Sequence, residues 1–344
     1  MITLTDSVLS FRFPEVHANA QLDISFLRTL RIPDDGHTYP LPPGLGAFPL
    51  EHVDDHMQTA PAKWLEHGGV MLPMYQSEAM WLSFDSLSIP DHYAEYPFAI
   101  KIAAGKIDAV SGHTWKDSLD FKDQNYVVSP EQPWLDGFCV EKGQIRQFVA
   151  MPLGEGYSVE EQLSSDDLAG GLQIEVFPMK RSAFLKRFPE RTMKRFRCAT
   201  PMLSDMPMAS YSLMAPDLGL GAGGTMKQEI EEDPFDPDDW DVETSSRCFI
   251  HLCNSDMWKA ITGSNPPTKP NTARDYTDHG FPWFDYYSDK PAVSGSKILA
   301  AIKSVNQIAK KKGLTIIDND SVQIENVVKL RSTMKPDQVR EGSF

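Results

Sequence analysis

The sequence predicts an α+β protein dominated by antiparallel β-sheet, a sandwich or barrel-like unit to about residue 180 followed by a mixed α/β C-terminal region. Three observations carry that expectation. Short runs rich in strand-forming residues recur between turns, and those at 8–13, 22–32, 70–75, 79–84, 98–103 and 106–110 all precede residue 111. Residues 138–141 and 144–149 meet across Lys142-Gly143, where the glycine supplies the positive φ of a tight turn. Residues 172–177, Leu-Gln-Ile-Glu-Val-Phe, alternate so that Leu172, Ile174 and Val176 share one face of a half-buried strand.

Along the chain, 98–103 and 106–110 close as a hairpin over Ala104-Gly105. Residues 39–49, YPLPPGLGAFP, contain four prolines, each of which removes a backbone donor and fixes φ, so a loop or linker is expected there. Residues 179–224 are rich in Met, Pro and basic residues with weak periodicity, which marks a boundary. The expected division is a β-rich domain at 1–180, a connecting region at 181–246 and a mixed α/β region at 247–344 packed on the first. Residues 247–254 read as a strand, and 255–262 as a short helix capped by Ser255 and ended by Gly263. The strongest helical pattern is 296–312: Ile298, Leu299, Ile302, Val305 and Ile308 recur at helical spacing, lysines fill the last turn and Gly313 marks the stop. Strands at 314–317 and 322–330 are expected around Asp318-Asn319-Asp320.

A formal charge of −15 disfavours general nucleic-acid binding and anionic membranes, both of which need a positive footprint. With no apolar run near the roughly 20 residues of a membrane helix and no basic-then-apolar N-terminus, the expectation is a soluble cytoplasmic protein without membrane insertion. Cys139, Cys198, Cys248 and Cys253 follow no disulfide spacing and fit a reduced state. Cys139 reads as a small buried residue rather than a nucleophile.

The sharpest metal candidate is His52, Asp55 and His56, because two imidazoles four apart share a face of a helix and a neighbouring carboxylate completes a set for a divalent metal. Val53 stands where a zincin protease carries its glutamate base, so the protease version fails, and the same residues fit a solvated turn after a proline-rich loop. Gly219, Gly221 and Gly224, with Lys227 beyond, invite a phosphate-loop reading. Lys227 is followed by Gln228 rather than Ser or Thr, and no clear strand precedes the run, which favours a flexible or tightly turned connection. Residues 229–243 hold nine acidic side chains without EF-hand order, and read as a solvated acidic loop before a calcium site. Residues 180–197 hold eight basic side chains interleaved with phenylalanines, and opposite charge suggests that the two segments pair within or between subunits. Aromatic residues 281–287 fit either a recognition platform or a packed core. Lys186, Arg187, Arg191, Trp283 and Tyr286 are the candidate interaction surface.

The blocks PEQPWLDGFCVEKGQIRQFVAMPLGEGYSVEEQL, GGLQIEVFPMK, LGAGGTMKQEI and HGFPWFDYY resemble, in this order, a family of uncharacterised microbial proteins. The resemblance spans most of the chain and implies one inherited unit, with no activity attached. The residues themselves lead first to a soluble binding or assembly protein, acting on a protein partner or on itself through aromatic and oppositely charged surfaces. A metal-assisted hydrolase using His52, Asp55 and His56 is the alternative, and nucleotide binding at the glycine run a third reading.

Overall fold

The structure, a computed structural model, describes residues 1–164, 168–190, 217–288, 290–316 and 319–331. Its longer strands are β1 (Ile2–Thr5), β2 (Val8–Arg12), β3 (Gln21–Thr29), β4 (Val70–Met74), β5 (Ala79–Ser86), β6 (Phe98–Ala104), β7 (Gly137–Glu141), β8 (Gln144–Pro152), β9 (Leu172–Pro178), β10 (Leu218–Lys227), β11 (Ser246–Asn254), β12 (Trp283–Tyr287) and β13 (Val327–Arg331). The α-helices are short: α1 (Ala62–His67), α2 (Val159–Leu163), α3 (Arg181–Arg187), α4 (Ser255–Thr262), α5 (Ala273–Asp278), α6 (Lys297–Ala301) and α7 (Val305–Lys311). The fold is α+β and mostly antiparallel β. None of the helices described is long and apolar enough to cross a membrane.

Two runs of strands build the sheet. Strands β1, β2, β3 and β5 pair antiparallel in that order, and the run continues through β8 to β10. In the second run β6, β9 and β11 pair antiparallel, and β4 adds to β11 in parallel. The runs join where Leu218 pairs with Leu252, and the whole forms one branched, open, 17-stranded sheet. Ile24 and Phe26 of the first run and Ile100, Ile174 and Ile250 of the second belong to one apolar cluster. That shared burial is the main driving force for bringing distant strands together. Sheet pairing therefore crosses both expected boundaries, near residues 180 and 246, and the three expected segments contribute to one sheet.

Local signals account for the hairpins. Gly143 has φ 75° and joins β7 to β8, and Gly105 has φ 55° between Ala104 and Ile107, although the returning strand is only Ile107–Asp108. Strand β9 departs from its expected half-burial, because Gln173 and Glu175 are buried as well as the apolar face. Gln173 Nε2 donates to Gly105 O at 2.7 Å, and Ser245 Oγ donates to Glu175 Oε1 at 2.9 Å. Lys101, Glu175 and Arg247 stand side by side across β6, β9 and β11. The indole of Trp115 covers this row, 4.2 Å from Lys101 Nζ and 4.7 Å from Arg247 Cζ, so cation–π contact and alternating charge replace water on that face.

The glycine run is a correction. Residues 219–224 form neither a phosphate loop nor a flexible or tightly turned connection but the middle of β10, a buried strand paired along β8. A Cβ on Gly224 would lie 2.3 Å from Pro33 O, and one on Gly221 would lie 2.7 Å from a methyl of Val305. These glycines let neighbouring chains approach.

The helix expected over 296–312 is also divided. It ends at Ala301, and Ser304 opens α7 with a capping box to Gln307, so Ile302–Ser304 turns the chain. At α4 the cap is Asn254, whose side chain accepts from Asp256 N, and Ser255 is the first helical residue. Of the last two expected strands only Val327–Arg331 forms, parallel to β12; residues 314–316 are irregular and 317–318 lie outside the described residues.

Candidate functional site

The expected surface and metal residues are dispersed. His52 ends a two-residue strand and Val53–His56 is a 3₁₀ turn, in which residues four apart do not share a face. His56 Nε2 lies 2.6 Å from Glu51 Oε2, and among the described residues no three His, Cys, Asp or Glu side chains gather as metal ligands. The set His52, Asp55 and His56 is thus not assembled. His52 does share a small pocket with His67, Asp54 and Arg247.

Trp283 is fully buried, donating from Nε1 to Thr277 Oγ1, and is core rather than surface. Tyr286 packs edge-on against Trp134 at 4.6 Å. Arg187 Nε donates to Asp239 Oδ2 at 2.7 Å, and Arg187 Nη2 to Asp236 Oδ2 at 2.6 Å. Lys180 Nζ donates to Asp238 O, so basic and acidic segments pair within one chain. Lys186 remains exposed, and Arg191 lies outside the described residues. The acidic segment is not simply solvated: Asp233 accepts from the Tyr126 hydroxyl and the Trp240 indole, and buried Glu231 pairs with Lys290 at 2.8 Å.

A different constellation forms where β4 turns into β5. The turn Tyr75-Gln76-Ser77-Glu78 places Ser77 at φ 69°, in the left-handed region that a serine rarely occupies. It is held there from both sides. Ser77 N donates to Ala150 O at 2.7 Å, and Glu78 N to Tyr75 O at 3.0 Å. Strain of this kind survives only where the surroundings over-determine it.

The Glu78 side chain is the anchor. Its Oε2 accepts from Tyr75 N at 2.9 Å and its Oε1 from Arg28 Nε at 2.7 Å. Burial pushes the Glu78 carboxyl above its ordinary range, against the opposing pull of the Tyr75 amide and the Arg28 guanidinium. Arg28 Nη2 also donates to Thr268 O, and the Tyr75 hydroxyl to Pro267 O. A proline-rich segment distant in sequence is thereby stapled beside the turn.

These elements enclose a cleft of about 400 Å³. Ala79, Met151, Ala309, Leu314 and Ile316 supply apolar lining, while Arg31, Ser77, Tyr157, Lys269, Asn271 and Thr272 supply polar groups. Thr272 caps α5 in a capping box with Asp275, which steadies that wall. Arg31 Nη2 and Asp34 N both donate to Asn319 Oδ1, tying the chain beyond α7 to the end of β3.

None of these residues was singled out by sequence. A polar tetrapeptide, YQSE, between two apolar runs signals the turn, and a Pro-Pro-Thr-Lys-Pro run signals an ordered loop. Their meeting across 240 residues has no local signal. No protein-family model matches the chain, and no match is found among curated proteins or solved structures.

Proposed function

We propose that this protein binds a small molecule in the cleft at the Tyr75–Glu78 turn, and that the ligand combines an anionic end with an apolar body. One observation carries the reading. The cleft's single carboxylate, Glu78, is already engaged by Arg28 and the Tyr75 amide. The lining that remains is cationic at Lys269 and hydrogen-bonding at Asn271, above an apolar floor, in a chain whose overall charge is −15. The volume falls within the ~300–1,000 Å³ typical of small-ligand pockets, and a few convergent polar groups on apolar walls are the usual basis of orientation.

The test is thermal unfolding with hexanoate, benzoate and phenyl phosphate, beside benzamide as a neutral comparison, on wild type and Lys269→Glu. Anions at about 100 times their Kd should stabilise wild type by about 2.7 kcal/mol. Lys269→Glu, an exposed substitution, should lose at least about tenfold in affinity, which corresponds to 1.4 kcal/mol. No response to any anion, or an undiminished response in the variant, would overturn the assignment.

A further inference from the structure

The corner between α2, α6 and α7 carries a second site of different character. A groove of about 550 Å³ has an apolar floor made by Leu163, Ile298, Ala301, Ile302 and Ile308. Lys303, Lys311 and Lys312 stand around it. The one carboxylate in the lining, Glu155, is neutralised by Lys312 at 2.7 Å. Among the described residues Lys303 and Lys311 have no carboxylate within ion-pair distance, and their two ammonium groups flank the apolar trough.

The groove is built rather than incidental. Lys303 N donates to Gln162 Oε1 at 2.8 Å, and Gln162 Nε2 donates to Lys303 O at 3.0 Å, a reciprocal clamp between α2 and the turn joining α6 to α7. Arg146 Nη1 donates to Ile302 O at 2.6 Å and fixes the same turn from the sheet. Lys312 Nζ also lies 4.4 Å over the Tyr157 ring, which holds the end of α7 in place.

We infer that this groove binds an anionic amphiphile, an aliphatic chain ending in a carboxylate, phosphate or sulfate. The chain would lie along the five apolar residues, and Lys303 and Lys311 would take the head group. Size favours a small molecule, since about 550 Å³ falls within the ~300–1,000 Å³ of small-ligand pockets. Net charge favours a free amphiphile over a membrane, because a chain of −15 is repelled by an anionic bilayer. The inference does not depend on the cleft at the Tyr75–Glu78 turn.

Isothermal titration with dodecanoate and dodecyl phosphate, below their micelle-forming concentrations, tests it on the full chain. On the Lys269→Glu background, which removes the cation of the other cleft, saturable one-to-one binding is expected, weakening with salt and with octanoate in place of dodecanoate. The doubly exposed change Lys303→Glu/Lys311→Glu should lower affinity at least tenfold, whereas Lys310→Glu, outside the lining, should leave it within twofold. Retention of binding by the double variant on the Lys269→Glu background, equal weakening by Lys310→Glu, equal affinity for dodecyltrimethylammonium, or binding only to phosphatidylglycerol vesicles would each overturn it.

Discussion

Replacing Asp136 by asparagine is expected to remove most of one component of this protein's dependence on pH. Asp136 lies between Leu135 and the start of β7, 5% exposed. Its backbone is engaged, with its N–H on Gln228 Oε1 and its carbonyl accepting from Phe148 N. Side-chain Oδ2 has no hydrogen-bond partner. Burial disfavours the ionised carboxylate, only partly offset by the Trp134 side chain, and pushes the Asp136 carboxyl from 3.8 up to about 7. Between those values the unfolded chain has released the proton and the folded chain keeps it. Stability is therefore greatest below pH 4 for this group and falls as pH rises through 7.

Roughly three pH units at about 1.4 kcal/mol each amount to about 4 kcal/mol over the full range, of which about 3 kcal/mol falls between pH 5 and pH 8. Asparagine cannot ionise. Urea unfolding of wild type and Asp136→Asn at pH 5, 6.5 and 8 should show the variant gaining about 3 kcal/mol relative to wild type across that interval. Asp108, also buried and pushed up to about 6, titrates in both proteins and cancels in the difference. A difference that stays constant with pH to within about 0.5 kcal/mol would mean that Asp136 is not held neutral by burial, and would refute the reasoning.

Two further comparisons test the architecture. Gly224→Ala forces a methyl to 2.3 Å from Pro33 O and should cost about 1–3 kcal/mol or more, whereas Gly44→Ala, whose nearest neighbour would be 3.4 Å away, should be far milder; equal melting temperatures would contradict the close approach at β10. Arg28→Met leaves the Glu78 carboxylate buried without its cation and should cost about 3–5 kcal/mol, much of it recovered in Arg28→Met/Glu78→Gln, as denaturation of the two variants will show.

The hairpin of β7 and β8 was legible because its information is contiguous: two strand-forming runs and a glycine at the one position that needs positive φ. The same holds for the extended runs that became β3, β5 and β6, and for the helical spacing within α6 and α7. The division between those two helices was written locally as well, in Ser304 followed by Gln307, but continuous apolar periodicity across the break concealed it. Glycines 219–224 misled for the opposite reason. Composition alone does not distinguish glycine needed for a turn from glycine needed because Pro33 and Val305 press against a strand.

The candidate sites were hidden more deeply. Arg28 and Glu78 are 50 residues apart and Arg28 and Thr268 are 240 apart, so nothing in either neighbourhood announces the contact. By itself the sequence determined the β-rich class, the hairpins, most strand positions and the acidic balance, since these depend on backbone preference, side-chain alternation and charge within a few residues. Only the tertiary structure decided which charges cancel, which aromatic rings are core and which lysines are left beside an apolar groove, because those outcomes depend on the packing of segments that chain connectivity does not bring together.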